Sequence, residues 1–153
     1  MRAHGAERAQ ATVLHVRCRP DTSEDAYRQV FDMLTGYSPV GQALPSAAAL
    51  VEARGALPYF GCSSDQLAAR IRLRAMALVG VDVHVGVASS WAVAAMASAR
   101  PARNGIRLVV PDGEPAFLDQ LPIEALHGIG PVQATRLRTF GLETIGALAA
   151  TRP

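Results

Sequence analysis

The first part of the chain alternates between hydrophobic patterns typical of strands and of helices. The run from Ala11 to Val16 contains β-branched residues and favours a short strand. Ser23-Glu24-Asp25 then provides a helix cap, and Val30 and Leu34 repeat at the spacing of one helix face. The chain therefore opens with a predicted β-α unit.

The next segment predicts two strands and a long helix. Residues 37–42 and 47–53 form the predicted strand pair around Pro45, and Tyr59 to Gly61 ends this hairpin region. Ser63-Ser64-Asp65 caps a helix that ends at Gly80. We expect the buried face of this helix to carry Leu67, Ala68, Ile71, Ala75 and Leu78.

Strict alternation of apolar and polar residues from Val81 to Val87 predicts a strand with one buried face. The resulting element order is β-α-β-β-α-β. This order predicts an α+β fold of the ferredoxin-like type, with two helices on one face of an antiparallel sheet.

The remaining elements are shorter and mostly helical. A helix at 90–100, a strand at 106–110 and a turn at 111–113 precede a small helical module. We therefore expect a disordered N-terminus at residues 1–11, an α+β domain at residues 12–112 and a helical module at residues 113–153.

The segment from Leu126 to Leu137 predicts a helix, a tight glycine hairpin and a second helix, which is the pattern of a helix-hairpin-helix motif. We expect Gly128 and Gly130 to adopt positive φ and to let a phosphate approach the backbone. Pro131 suits the first turn of the second helix, whose N-terminal N–H groups favour an anion. The expected DNA-binding residues are Gly128, Ile129, Gly130, Val132, Gln133, Thr135, Arg136 and Arg138. The alternative interpretation is an ordinary helical hairpin with a glycine turn.

Charge and cysteine content limit the kinds of binding site that we expect in this chain. The 15 basic residues, all of them Arg, against 13 acidic ones give a net charge of only +2, so nucleic-acid binding must be local. Cys18 and Cys62 show no spacing typical of a zinc site, and we expect neither a disulfide nor a cofactor. The chain shows no apolar signal peptide or membrane span, so we expect a cytoplasmic protein with no membrane partner.

From its first strand to its hairpin, the chain resembles the palm and thumb of Y-family (translesion) DNA polymerases. The matching stretches, in chain order, are Leu14-His15-Val16, Tyr37-Ser38-Pro39-Val40, Leu67 to Arg72, the Gly128-Ile129-Gly130 hairpin and Thr144 to Ala149. This resemblance implies a polymerase palm, here at residues 12–112, and a thumb-like module at residues 113–153.

The chain departs from the family pattern at the positions where the resemblance implies metal ligands. The first metal-binding Asp corresponds to Arg17, and the family's other two carboxylates correspond to Ala47 and Ala48. Two-metal nucleotidyl transfer needs oxygen ligands for Mg²⁺, which these side chains lack. Only residues 19–23 separate the first strand from the first helix, where the family inserts its fingers. We therefore predict a finger-less, non-catalytic relative without a metal site.

Arg17 and Arg19 lie at this emptied site, and their alternation on one strand favours an exposed charged pair over a phosphate site. The predicted function is binding of the DNA phosphate backbone without sequence specificity, as an accessory factor with a protein partner in DNA repair or translesion synthesis. The alternatives are a protein-interaction adaptor that does not touch DNA, an active nucleotidyl transferase, and a decayed remnant without a role.

Overall fold

Strand β1 lies in the middle of a five-stranded sheet whose order is β2-β3-β1-β4-β5. The structure, a computed structural model, describes residues 11–38, 41–45, 47–126 and 129–150. The strands are β1 Val13–Arg17, β2 Gly41–Leu44, β3 Ala48–Glu52, β4 His84–Ala88 and β5 Ile106–Leu108. The first four strands pair with one another in the antiparallel sense, as the ferredoxin-like prediction requires.

The helices are α1 Glu24–Thr35, α2 Ala56–Phe60, α3 Ser64–Arg74, α4 Trp91–Ser98, α5 Glu114–Asp119, α6 Pro131–Thr139 and α7 Ile145–Ala150. The chain divides between Pro111 and Asp112 into two compact units. Residues 1–10 of the expected disordered N-terminus lie outside the described residues. Ala11, which was assigned to the same segment, is buried in the core, so that boundary was wrong.

One face of the sheet and the helices α1 and α3 enclose the main core. Leu14 and Val16 of β1 lie opposite Val51 and Ala49 of β3 and share this face with alternate residues of β4. Helix α1 begins at its predicted cap, where Ser23 Oγ accepts a hydrogen bond from the Ala26 N–H at 3.1 Å. The buried helix residues of this cluster are Val30, Leu34, Leu67, Ala68 and Ile71.

Helix α4 covers the opposite face of the sheet. A Cβ atom on Gly86 of β4 would lie 2.1 Å from the Ala94 carbonyl oxygen and 2.4 Å from the Ser98 nitrogen. The helix backbone therefore rests directly on the strand. Helix α4 also leads the chain into β5. This strand pairs in parallel with β4, whereas the sequence predicted an antiparallel sheet.

At the C-terminal end of α3, the buried face of the helix differs from the predicted one. Residues Ala75–Val79 form a π-helical turn before Gly80, whose φ of 76° ends the helix. The wider turn shifts the phase of the helix, so Leu78 is 62% exposed while Val79 packs against the core.

The strand predicted at residues 37–42 begins only at Gly41, and Pro39 and Val40 lie outside the described residues. The N–H groups of Tyr37 and Ser38 both donate to the Leu34 carbonyl, so these residues finish α1 instead. Helix α2 was missed because five residues are too few to display a helical period.

Arg72 of α3 joins the two segments that lead into the last strands. Its Nε donates to the Val83 carbonyl at 2.8 Å, and its Nη2 lies 2.6 Å from Asp82 Oδ1. Its Nη1 donates to the Asn104 carbonyl. Gly105 has a φ of 77°, and the guanidinium carbon lies 2.3 Å from where its Cβ would be. The positive φ favours glycine at this position, and a side chain there would displace the Arg72 guanidinium.

Gly86→Ala should lower the free energy of unfolding by about 1–3 kcal/mol or more, because the added methyl group collides with the α4 backbone. Urea unfolding followed by circular dichroism measures this loss. Gly41→Ala is the matched control, since its Cβ would lie at an ordinary 3.5 Å from the Leu50 carbonyl oxygen. Equal stability of the two variants would contradict the close packing of α4.

Candidate nucleic-acid interface

The C-terminal unit packs its short helices around a few buried apolar side chains. Ile123, Ala134 and Ile145 are buried, and the Ile145 N–H donates to the Leu121 carbonyl at 3.0 Å. The predicted helix before the hairpin is a 3-10 helix of three residues, Ile123–Ala125. Two helices follow the hairpin, α6 and α7. The predicted second helix of the motif therefore corresponds to α6.

Gly130 is the N-cap residue of α6, with φ −84° and ψ 167°. This is extended backbone, so the expected positive φ at Gly130 was wrong. An N-cap residue adopts extended geometry so that its carbonyl can accept the first helical hydrogen bond, here from the Ala134 N–H at 3.0 Å. Apart from its neighbours along the chain, no described atom lies within 4 Å of the position of a Cβ on Gly130. The backbone at this point is therefore open to a ligand. His127 and Gly128 lie outside the described residues.

The backbone N–H groups at the start of α6 differ in their availability. The Ile129 N–H donates to the Leu126 carbonyl at 3.2 Å, and the Gly130 N–H donates to Gln133 Oε1 at 3.3 Å. For the N–H groups of Val132 and Gln133, no acceptor exists within the described ranges. These two donors point out of the first turn of a helix whose N-terminal end carries positive partial charge.

The predicted side-chain contacts of α6 also differ. Thr135 donates its hydroxyl proton to the Pro131 carbonyl within the helix at 2.9 Å. Arg138 is ion-paired with Glu124. Arg136 is exposed, and in the described part of the chain it has no acidic partner. Phe140, the C-cap residue of this helix, is 80% exposed.

The two arginines after the first strand occupy different surroundings. Arg19 is exposed, with its Nε 3.5 Å from Asp21 Oδ1. Arg17 is half-buried, and its Nε donates to Ser98 Oγ at 3.2 Å while its Nη2 donates to the Ala95 carbonyl at 3.3 Å. Burial lowers the pKa of the Arg17 guanidinium from its ordinary value. The expectation of an exposed pair is therefore wrong for Arg17.

The residues that the resemblance places at metal positions lie side by side in the sheet. Arg17 lies opposite Ala48 in the pairing of β1 with β3, and the Cys18 N–H donates to the Ala47 carbonyl at 2.9 Å. Neither a guanidinium nor an alanine side chain carries an oxygen atom that could bind Mg²⁺. These side chains therefore do not fit a pair of Mg²⁺ ions. Over the residues that the structure describes, no three His, Cys, Asp or Glu side chains form a cluster that could hold a metal ion.

Comparison with known proteins shows what the chain is similar to. The helix-hairpin-helix motif of the IMS family matches residues 111–142. DNA polymerase IV of Gluconobacter oxydans is 32% identical over 139 residues, covering 91% of this chain and 39% of that polymerase. DNA polymerase IV of Ralstonia nicotianae is 33% identical over 128 residues, covering 84% of this chain and 36% of the relative.

Solved structures show the same fold. A DinB family error-prone DNA polymerase from Sulfolobus solfataricus superposes with a TM-score of 0.72 at 21% identity, covering 84% of this chain and 39% of that one. A Y-family DNA polymerase chimera gives the same TM-score and covers 84% of this chain and 38% of its own. The chain is similar in sequence to part of DNA polymerase IV proteins and similar in fold to part of a DinB family polymerase. The resemblance expected from the sequence and the α+β fold class are both confirmed.

The chain spans about two fifths of the length of these two relatives, 39% of the polymerase from Gluconobacter oxydans and 36% of that from Ralstonia nicotianae. Within the described ranges, none of its helices combines the length and apolar composition needed to cross a bilayer.

Cys18 should react with an aromatic disulfide reagent about tenfold or more slowly than Cys62, since reaction needs both ionisation and local opening. Cys18 is 3% exposed and its burial raises the pKa of its thiol, whereas Cys62 is half-buried. A raised pKa leaves less of the Cys18 thiol ionised at mildly alkaline pH. The reaction rate at Cys18 should therefore keep rising as the pH increases above that range. Cys62→Ser and Cys18→Ser report each thiol alone. Equal rates in the two variants would contradict the burial of Cys18.

Proposed function

We propose that this chain binds the phosphate backbone of DNA through its helix-hairpin-helix and does not catalyse nucleotidyl transfer. The binding residues of the proposal are Gly128, Ile129, Gly130, Val132, Gln133, Thr135, Arg136 and Arg138. Its role would be that of an accessory factor in DNA repair or translesion synthesis. The expected protein partner and cytoplasmic location remain predictions of the same proposal.

The observation that carries the proposal is the open first turn of α6. Val132 and Gln133 present backbone N–H groups without acceptors in the described ranges, beside a glycine that leaves the approach clear. A phosphate oxygen is the acceptor that such a helix terminus favours. The family-model match over residues 111–142 supports nucleic acid as the source of the phosphate. Among the side chains, Arg136 is better placed to contribute than Arg138, which already has Glu124 as its partner.

Backbone contacts of this kind position a protein on DNA without reading the bases. One helix terminus and one free arginine neutralise few phosphates. We therefore expect a dissociation constant in the non-specific range of roughly 10⁻⁴–10⁻⁶ M, with a shallow dependence on salt. Binding this weak supports a role in which a protein partner supplies the remaining affinity.

The chemistry at the end of β1 supports the absence of catalysis. A cation at Arg17 repels Mg²⁺, and Ala47 and Ala48 provide no side-chain oxygen beside it.

One observation favours the alternative of a protein-interaction adaptor. Val132 is 74% exposed and Phe140 is 80% exposed, both at the ends of α6. Large exposed apolar side chains suit a protein contact better than a phosphate contact. An adaptor of this kind would use the same helix without touching DNA.

Gly130→Asp should weaken DNA binding about fivefold relative to Gly130→Asn at low salt. Asn and Asp are equally good N-cap residues, and the site has room for either, so α6 should stay folded in both variants. Only Asp places a negative charge against the incoming phosphate, at a cost of about 1 kcal/mol for charges 4 Å apart in water. Fluorescence-anisotropy titrations with duplex and primer-template DNA measure the difference, which should shrink as salt increases.

Gly55→Asp is the control for net charge, because it adds the same carboxylate at the N-cap of α2, where the Cβ position has no described atom within 4 Å apart from its chain neighbours. It should bind DNA like the unaltered protein. Equal affinities of the Asp and Asn variants at Gly130 would remove α6 from the DNA contact, and no binding by any variant at low salt would favour the adaptor.

The purified protein should not extend a DNA primer when Mg²⁺ and all four nucleotides are supplied, because the side chains at the end of β1 cannot hold the metal ions. A gel-based primer-extension assay tests this, with an active DNA polymerase IV as the positive control. Metal-dependent incorporation above the background of a mock purification would overturn the non-catalytic proposal.

A further inference from the structure

Exposed apolar side chains concentrate at the C-terminal end of α3. Leu73 is 71% exposed, Met76 50% and Leu78 62%. The π-helical turn of Ala75–Val79 contributes to this exposure, because it directs Leu78 away from the core and Val79 towards it. Such turns occur frequently at functional sites. Apolar side chains exposed together in this way indicate a surface that another protein covers.

The two helices on this face of the sheet carry charges of opposite sign. Helix α1 contains three acidic residues and one Arg, whereas α3 contains three Arg and one Asp. Two exposed residues of each sign have no opposite charge within ion-pair distance in the described part of the chain, namely Asp25, Asp32, Arg70 and Arg74. These charges are therefore available to a partner.

The topology makes α1 and α3 antiparallel. Helix α1 connects β1 with β2, and α3 lies between β3 and β4. The strands of each pair run in the same direction, so each helix returns against them. Since β1 and β3 are antiparallel, the two helices also run in opposite directions. The N-terminal end of α1 and the C-terminal end of α3 therefore lie at the same edge of the sheet.

A second copy of the chain matches this surface when it is rotated by 180° about an axis that runs between the two helices and along them. Its α1 would then lie on α3 of the first copy in the antiparallel direction, and its α3 on α1. Asp25 would lie at the level of Arg74 of the other copy, and Asp32 at the level of Arg70, each to within about 6 Å along the helix axis.

This rotation brings each acidic helix against a basic one and covers Leu73 at the same time. A partner complementary to both helices must carry a basic helix beside an acidic one, running in opposite directions. The chain itself has this pattern. Because a two-fold axis repeats every contact, each of the two ion pairs would form twice.

We propose that two copies of this chain associate through the outer surfaces of α1 and α3 as a two-fold symmetric dimer. The two helices are about 18 and 24 Å long and about 10 Å apart, so the interface is small among specific ones. We therefore expect a dissociation constant of roughly 10⁻⁵ M. The surface belongs to the first unit, so the dimer does not depend on DNA binding by the helix-hairpin-helix.

Sedimentation equilibrium of the full chain without DNA tests the proposal. The mass should rise from monomer to dimer between roughly 10⁻⁶ and 10⁻⁴ M at low salt, and the transition should move to higher concentration as salt increases. Leu73→Glu should weaken the dimer about tenfold or more, because it places a carboxylate in the apolar contact. Phe140→Glu is the matched control, since Phe140 is 80% exposed but lies in the other unit, and it should dimerise like the unaltered protein.

Circular dichroism shows that both variants remain folded. A chain that stays monomeric over this range overturns the proposal and leaves the exposed residues of α3 to another protein. Equal effects of the Glu variants at positions 73 and 140 would also overturn it, because they would place the contact outside α1 and α3.

A charge-reversal mixture tests the two-fold arrangement itself. Asp32→Arg and Arg70→Asp should each weaken the dimer about tenfold, because each sets like charges opposite one another at two contacts. An equimolar mixture of these two variants should recover the affinity of the unaltered protein, since in a mixed dimer every altered charge meets its opposite. Both variants keep their own neighbouring helix, so an effect within one chain would not be reversed by mixing.

Arg103→Asp is the control for overall charge, because Arg103 is exposed and lies outside α1 and α3. Its mixture with Asp32→Arg should show no recovery. Recovery in this control mixture, or none in the mixture of the variants at positions 32 and 70, would overturn the proposed packing of α1 on α3.

Discussion

The contact between α4 and Gly86 is the constraint on which the first unit depends. Without a side chain at this position, the backbone of α4 lies directly on β4, with the Ala94 carbonyl oxygen 2.1 Å from where a Cβ would be. The helix thereby reaches the neighbouring strand, where Ser98 contacts both His15 and Arg17. A larger residue at Gly86 would push α4 outward and separate these groups. The packing of α4 on the second face of the sheet therefore depends on the absence of a side chain at Gly86.

This contact also explains why two arginines two positions apart behave differently. Arg17 is the last residue of β1 and points towards α4, where its hydrogen bonds go to a hydroxyl and a carbonyl oxygen. Arg19 lies beyond the strand and is paired with Asp21 near solvent. The first is held in place without a described counter-ion, whereas the second is a surface ion pair of the kind that contributes little. The same positive charge is thus half-buried among neutral acceptors at Arg17 and exposed in an ion pair at Arg19.

The C-terminal unit is organised by local hydrogen bonds. Gly130, Pro131 and Gln133 define the start of α6 within four residues, through an extended N-cap, a proline at the first helical position and a side chain that returns to the Gly130 N–H. This arrangement occupies one backbone donor and leaves those of Val132 and Gln133 open. Because the features are local, the motif was recognisable from its spacing, although the φ expected for Gly130 was not the one adopted.

The sequence by itself determined the order of the longer elements and the ferredoxin-like sheet, because alternation in 81–87 and the cap at Ser23 report local backbone preferences. The single buried face expected for 81–87 was wrong, because α4 covers the second face of β4 and both faces are buried. Only the tertiary structure decided the parallel pairing of β5, the exposure of Leu78 after a π-helical turn, and the partners of Arg17 and Arg138. Ser98 lies 81 residues from Arg17. A local pattern shows which face of an element is apolar, whereas the neighbour of a polar group depends on how distant segments align, which no short stretch of sequence encodes.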